Sequence, residues 1–439
     1  RWMALSPARG MGYVFAPEGG IGGILGATEA SGGGGRGPGG RLRGRALGRA
    51  VAGIYGTAFF SLSMHHMASI VVPLWMVQLG ASPLWIGIAI GARSALPLAF
   101  SIHGGVLMDR LGTRRVTLAV ALAAMALFPI YPFMPWIAAI IALQLLFGLA
   151  QGLCWIGAQT FYGNLMRGHA GHAGRLVFFS SGGSFVGPML IGAVIEFGGN
   201  SFGFGLLCLW ALMMVLFTLL APGDKELGLQ ARKPVWADLV PRAADYKSAL
   251  ALCLLPVVVM VMSFTFIRIG VASVQTSFYV VYLGQIEMGE TLIGVLLGTA
   301  NLVATITPPL IKTLARRVSI ISILVGATIA TTVFMAVTPL LESFAPLLVA
   351  AALYGAGVGL GFPTLLTMLS RTVGPGDQGK SVGLRTSVNR LGSLIVPVVM
   401  GAVAEYFSLA MSFAVVAAAA LAGTFVTTLW VWRQPALRR

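Results

Sequence analysis

The stretch Gly105-Val-Leu-Met-Asp109-Arg110-Leu-Gly112-Thr-Arg114-Arg115-Val-Thr-Leu118 decides how this chain is read. It places polar, charged and turn-forming residues between two long apolar runs, and so reads as a tight basic hairpin joining two membrane helices. Gly105 and Gly112 permit close backbone approach and positive φ. Asp109 is the one acid among Arg110, Arg114 and Arg115, and Leu107 carries the apolar helix up to the turn. On spacing alone, an ordinary positively charged loop explains the segment as well as a functional motif does.

Outward from this hairpin the chain is a membrane protein. Its 439 residues are 57% hydrophobic and only 10% charged, with a mean hydropathy of +0.88, a balance that excludes an ordinary soluble domain. From about residue 50, apolar segments of about 20 residues recur, each long enough to cross ~30 Å of hydrocarbon as a helix. Twelve are expected, six before the polar stretch 222–247 and six after it, giving an all-α transmembrane fold.

The net charge of +16 invites a nucleic-acid reading, but its placement argues for lipid. Arg93, Arg268, Arg385 and Arg390 fall inside apolar segments, and the other 25 of the 29 Lys and Arg lie in the termini or in alternate loops. The intervening loops, near 77–83, 130–136, 197–202, 284–290, 339–345 and 405–409, hold none. That is the positive-inside pattern, which puts both termini in the cytoplasm of an integral plasma (inner) membrane protein and turns the excess charge toward anionic lipid rather than nucleic acid. Cys154, Cys208 and Cys253 sit in apolar runs without metal-ligand spacing, so neither a metal, a cofactor nor a disulfide framework is expected.

The chain divides into a Gly-rich extension over 1–48, expected to be disordered and cytoplasmic, an N-terminal bundle over 49–221, a cytoplasmic linker over 222–247, a C-terminal bundle over 248–432 and a short tail over 433–439. The two bundles echo each other. Gly87, Gly91, Gly148 and Gly152 recur 207 positions later as Gly294, Gly298, Gly355 and Gly359. Near an offset of 209, Gly183, Pro188, Gly192 and Glu196 recur as Gly392, Pro397, Gly401 and Glu405. Parallel six-helix repeats about an axis along the membrane normal are the architecture of one class of alternating-access carrier.

With these residues in view, the hairpin resembles the loop between helices 2 and 3 of the major facilitator superfamily, of pattern G-x-L-x-D-R-x-G-R-R. Gly105, Leu107, Asp109, Arg110, Gly112, Arg114 and Arg115 match it, and Thr113 replaces one basic position. The resemblance covers residues 50–432 and implies two pseudo-symmetric six-helix bundles around a central site. It also implies a gating role for Gly105, Asp109, Arg110, Gly112, Arg114 and Arg115, with Asp109 meeting the start of helix 11 near Asn389 and Arg390. Gly183-Ser-Phe-Val-Gly187-Pro188 resembles the helix-5 motif of the antiporter branches, which marks Gly187 and Pro188 as a pivot and favours export; Asn389, Arg390 and Pro397 are the corresponding pivot of helix 11. Helix 4 departs from the pattern: Gln151 and Gly152 fit an R-x-x-Q-G motif, but Gly148 stands where proton antiporters carry Arg.

The helix interiors hold cations and no acid. All thirteen Asp and Glu lie at helix ends, in the linker or near the termini, so the commonest intramembrane proton relay is missing. His65 and His66 are the remaining internal titratable candidates. Arg93 and Arg268 are the sharpest features, because a charge at mid-membrane costs at least ~2.5–3.5 kcal/mol unless it faces a cavity or a partner. One reading makes them an anion site, with guanidinium forks that suit carboxylate or phosphate; the other has Arg93 capping backbone carbonyls. Arg385 is expected to extend to the cytoplasmic surface. Arg93, Arg268, His65, Gln151, Gln275 and Asn301 form the expected substrate-binding set.

The sequence thus points to a monomeric transporter that moves a small organic molecule by alternating access, secondary active or facilitative. Uptake or exchange of an organic anion through Arg93 and Arg268 is the alternative, and a non-transporting membrane sensor or scaffold is the alternative of another class. No nucleophile, acid and base cluster supports an enzyme. If Asp109 latches a gate, Asp109→Asn lowers the maximal transport rate while leaving substrate affinity within about twofold; equal losses in both, measured in vesicles, would remove the latch.

Overall fold

The computed structural model describes residues 44–165, 170–223, 226, 251–372 and 378–434. The expected extension lies outside these residues up to 43, whereas 45–48, expected to belong to it, are the first turn of a helix; most of the expected linker and the tail beyond 434 lie outside as well. Every regular element among the described residues is helical. This follows from the medium: hydrocarbon offers no partners to backbone N–H and C=O groups, and a helix satisfies its own.

Among the described residues, twelve principal helices make up the fold. The first half contains α1 (Arg45–Gln78), α2 (Pro83–Leu111), α3 (Thr113–Leu127) and α4 (Ile137–Leu165). One continuous run, Ala170–Leu220, is two helices meeting at Gly199, whose φ of 77° breaks the helical path; these are α5 (170–198) and α6 (200–220). The second half begins with α7 (Pro256–Gln285), which is interrupted between Gln275 and Phe278. It continues through α8 (Glu290–Ile306), α9 (Ile320–Ala336), α10 (Phe344–Thr372), α11 (Gln378–Tyr406) and α12 (Leu409–Arg433). Local sequence sets the starts. Pro83 and Pro256 occupy first-turn positions where no N–H is needed. Ser319 and Ser408 accept from Ser322 N and Met411 N, each at 3.1 Å, as side-chain caps.

The hairpin over 105–118 is tighter than the sequence implies. Helix α2 runs to Leu111 and α3 begins at Thr113, so the whole turn is Gly112, with φ 97°. A residue with a Cβ is strained there, whereas glycine reverses the chain in one step. The Arg114 guanidinium donates to the carbonyl oxygen of Leu219 at the end of α6, a cation on the negative end of a helix. Gly105, Asp109 and Arg110 lie on the last two turns of α2; the expected meeting of the Asp109 side chain with α11 falls outside the described side chains.

In the most apolar stretches of α1 and α7, 61% of residues are buried, against 33% in α3 and α12 and 22% in α11, one face of which borders the cavity described below. Large apolar side chains left exposed, among them Phe197, Phe202, Val349, Phe425 and Trp432, face what is hydrocarbon in a bilayer.

The core is one body on one side of the molecule and two on the other. Towards the side of the 77–83 and 284–290 turns, a single apolar cluster joins both halves, running from Met67 and Phe204 to Tyr279, Leu297 and Phe413. Towards the Gly112 side it divides. Ile54, Ala158, Phe161 and Leu176 pack within the first half, while Val258, Leu324, Leu369 and Leu384 pack within the second. The halves therefore meet on one side and part on the other.

The joined side shows the internal repeat as contacts. A Cβ on Gly87 would lie 2.2 Å from the Pro397 carbonyl oxygen, and one on Gly294 would lie 2.3 Å from that of Pro188. Gly91 and Gly298 press likewise on Leu394 and Phe185, and Gly401 and Gly192 on Pro83 and Glu290. So α2 packs on α11 as α8 packs on α5, backbone against backbone through small residues. Two carboxylates finish the pairing: Glu405 Oε2 accepts from Leu84 N at 3.1 Å, and Glu196 Oε2 accepts from Thr291 N at 2.8 Å. Each sits on the positive N-terminal end of a helix from the other half.

These backbone contacts leave no room for a side chain, so Gly87→Val forces the α2–α11 seal apart. In a chain freed of its three cysteines, Ser393→Cys should then react with a membrane-impermeant maleimide from the sealed side. Labelling confined to the Gly112 side in both backgrounds would contradict this seal.

Candidate functional site

Below the seal, towards the Gly112 side, the halves enclose a cavity of about 540 Å³. Its walls come from α1, α2, α4, α7, α10 and α11. Leu62, Ile90, Trp155, Ile156, Ile269 and Phe362 give an apolar wall; Ser94, Gln151, Gln159, Ser273, Asn389 and Ser393 give a polar one. Arg93, Arg385, Arg390 and His65 supply the titratable groups, and no acid lines the cavity among the described residues.

Arg93 is 4% exposed and is held to α1. Its Nη1 donates to Ser69 Oγ at 3.0 Å and to the His65 carbonyl oxygen at 3.4 Å. It therefore bonds a backbone carbonyl, as one reading expects, and it also borders the cavity. His65 lines the same wall, with its Nδ1 buried and unpartnered. Gln151 also borders the cavity, and its Nε2 donates to the Ser61 carbonyl oxygen at 3.5 Å.

The second half contributes a stripe of α11. Arg385, Asn389, Ser393 and Pro397 recur every four residues on one helix face, with Arg390 beside them. Arg390 reaches over to the first half: a Cβ on Gly152 of α4 would lie 3.5 Å from its Nη2. Asn389 Oδ1 is buried without a hydrogen-bond partner. Arg385 does not extend to the surface as the sequence implied. Its guanidinium carbon sits 5.1 Å from the centre of the Phe362 ring, and that of Arg268 sits 5.2 Å from the same ring. Two cations share one aromatic ring because helix α11 turns Arg385 inward, where no described carboxylate competes for it. The Nε atoms of both arginines are buried and unpartnered.

Three expected binding residues stand away from this cavity. Arg268, 8% exposed, lies behind Phe362 rather than on the wall. Gln275 borders a separate small space with Tyr279, Met335 and Tyr354. Asn301 ties the halves together, its Nδ2 donating to the Ser184 carbonyl oxygen at 3.1 Å. The helix-5 pair divides its contacts: Gly187 abuts Ser63 and Met67 of α1, whereas the Pro188 carbonyl faces Gly294 of α8. Pro397 joins seal and cavity, since its carbonyl meets Gly87 while the residue lines the cavity roof.

Helix α4 explains its own departure from the expected motif. A Cβ on Gly148 would lie 1.8 Å from the Arg93 carbonyl oxygen, so the position admits no side chain. The arginines that border the cavity come instead from α2 and α11.

This is the architecture of a two-bundle helical membrane carrier, with a cavity between its halves. Comparison with known proteins agrees. The model of the Major Facilitator Superfamily matches residues 51–380 and 265–439, and the chain belongs to that family. No curated protein sequence matches it. Among solved structures it is similar to the nucleoside transporter NupG, with TM-score 0.72 and 13% identity, covering 87% of this chain and 98% of that one. It is also similar to a POT family transporter in complex with 5-aminolevulinic acid, with TM-score 0.69 and 14% identity, covering 90% and 97%. The human organic anion transporter MFSD10 (TETRAN) matches with TM-score 0.58 and 16% identity, covering 88% and 100%. The chain is an integral membrane transporter of a small molecule, and not an enzyme.

The contact at Gly148 yields a test that separates packing from motif. Gly148→Arg, which completes the R-x-x-Q-G pattern, should abolish recovery of monodisperse protein on fluorescence size-exclusion, because overpacking against fixed backbone costs ~1–3 kcal/mol or more. A well-behaved Gly148→Arg protein would show that α2 and α4 do not meet as described.

Proposed function

We propose that this transporter carries a small organic anion by alternating access, through the cavity bordered by Arg93, Arg385 and Arg390. The observation that carries the reading is the charge of the walls: three guanidiniums from both halves, His65, and no carboxylate among the described lining residues. Guanidinium forks bind carboxylate and phosphate oxygens in pairs. The apolar wall of Trp155, Ile156 and Phe362 suits a carbon skeleton. A volume of about 540 Å³ falls within the roughly 300–1,000 Å³ of ordinary small-molecule sites.

The moving bodies are residues 49–221 and 248–432. By the asymmetry of Lys and Arg the Gly112 side is cytoplasmic, as are both termini, and the described state opens inward. Glu196 and Glu405 then hold the outer side shut. Reversal exchanges that outer seal for an inner one near Gly112, where the hairpin motif with Asp109 sits. Direction is set by the steeper gradient, so the export favoured by the helix-5 motif describes one set of conditions.

Arg93→Gln and Arg390→Gln should each weaken anion binding by roughly 10- to 100-fold, the loss of one charge-assisted hydrogen bond of ~1.5–3 kcal/mol. Arg268→Ala, behind the Phe362 ring, should weaken it by less than about threefold. Titrations of the purified protein with succinate, phosphate and benzoate, with a neutral sugar beside them, read this out. Equal affinity for the sugar, or no effect of Arg93→Gln and Arg390→Gln, would overturn the anion reading.

A further inference from the structure

We propose that the transporter is an obligatory exchanger, which changes sides only with an anion bound and so returns one anion for each it carries. The inference rests on the anion reading above and concerns what happens when the cavity is empty.

Arg93 belongs to the first half, on α2, and Arg385 and Arg390 to the second, on α11. All three border one water-accessible space. Arg390 already spans the gap, with Nη2 close to Gly152 of α4, and it lines the same space as Arg93 and His65. Closing the Gly112 side drives the halves together and expels the water that now screens these like charges. Repulsion between them grows as the effective dielectric constant falls.

No carboxylate among the described lining residues relieves it. Asp109 lies 16 residues along α2 from Arg93, about 24 Å at the helical rise. Helix α11 begins at Gln378, about 18 Å before Arg390 on the same rise, and Asp377 precedes that start in sequence. Glu196 and Glu405 are engaged on the far side by Thr291 N and Leu84 N. His65 can add positive charge but no negative charge. Neutralisation must come from the cargo. An anion between Arg93 and Arg390 turns repulsion between the halves into a bridge, and a dianion does so more completely than a monoanion. The loaded protein closes; the empty one stays open to the side it faces.

The test uses the full chain reconstituted in vesicles, with equal potassium and valinomycin so that charge movement builds no potential. Uptake of labelled succinate, phosphate or benzoate is compared between vesicles holding the same anion and vesicles holding only polyglutamate, too large to enter the cavity. Exchange should exceed net uptake by on the order of 100-fold, the rate penalty of one uncompensated intramembrane arginine. Arg390→Gln should raise net uptake relative to exchange by at least about tenfold, while Arg390→Lys, which keeps the charge, should leave net uptake shut. If anions bind and net uptake matches exchange, or if Arg390→Lys opens net uptake as Arg390→Gln does, exchange is not obligatory although the anion site stands. If none of the three anions binds, the underlying reading fails and this inference fails with it.

Discussion

Positive charge without a matching negative one inside a membrane is the constraint from which the rest of this structure follows. A guanidinium at mid-depth needs water, an aromatic face or an anion, because hydrocarbon supplies nothing. The protein uses the first two. Arg93, Arg385 and Arg390 border a cavity, and Arg268 and Arg385 share the ring of Phe362. A cavity of that kind cannot sit within a continuous core. The apolar clusters accordingly divide into one per half on the Gly112 side and merge on the other.

Under the alternating access proposed above, the merged side has to hold firmly yet come apart. Interdigitated large side chains would lock it, whereas glycine against backbone carbonyl gives close contact with little to disentangle. Gly87, Gly91, Gly294 and Gly298 provide that surface, each repeated in the other half. Glu196 and Glu405 add polar closure at the rim, where water can take over both partners once the halves separate. The repeat is therefore more than an inheritance of shape, since it gives two equivalent seams between the halves.

Much of this was legible beforehand. Segment length indicated twelve spans, and the 207- and 209-residue echoes marked α2 with α8 and α5 with α11 as equivalent; which of them meet, α2 with α11 and α5 with α8, came from the packing. Arg93 and His65 announced themselves as polar groups in apolar runs. What escaped was orientation. Arg385 has the composition of a surface-seeking residue, and only the face that α11 turns to the cavity shows that it points inward. Gln275 and Asn301 sit on inner helices, but helix rotation directs them to a side pocket and to Ser184. Gly148 looked like a missing arginine until its distance to the Arg93 carbonyl showed that nothing larger fits. Periodicity places a residue on a helix; which neighbour that face meets is a property of the packed bundle.

The central claim is that the space between the two halves is built for negative charge, and an anomalous-scattering map tests it most directly. Crystals of the protein soaked in 4-bromobenzoate should show a bromine peak inside the cavity, with the carboxylate directed at Arg93 and Arg390. Peaks confined to the surface, with the cavity filled only by water or lipid at saturating probe, would contradict the account.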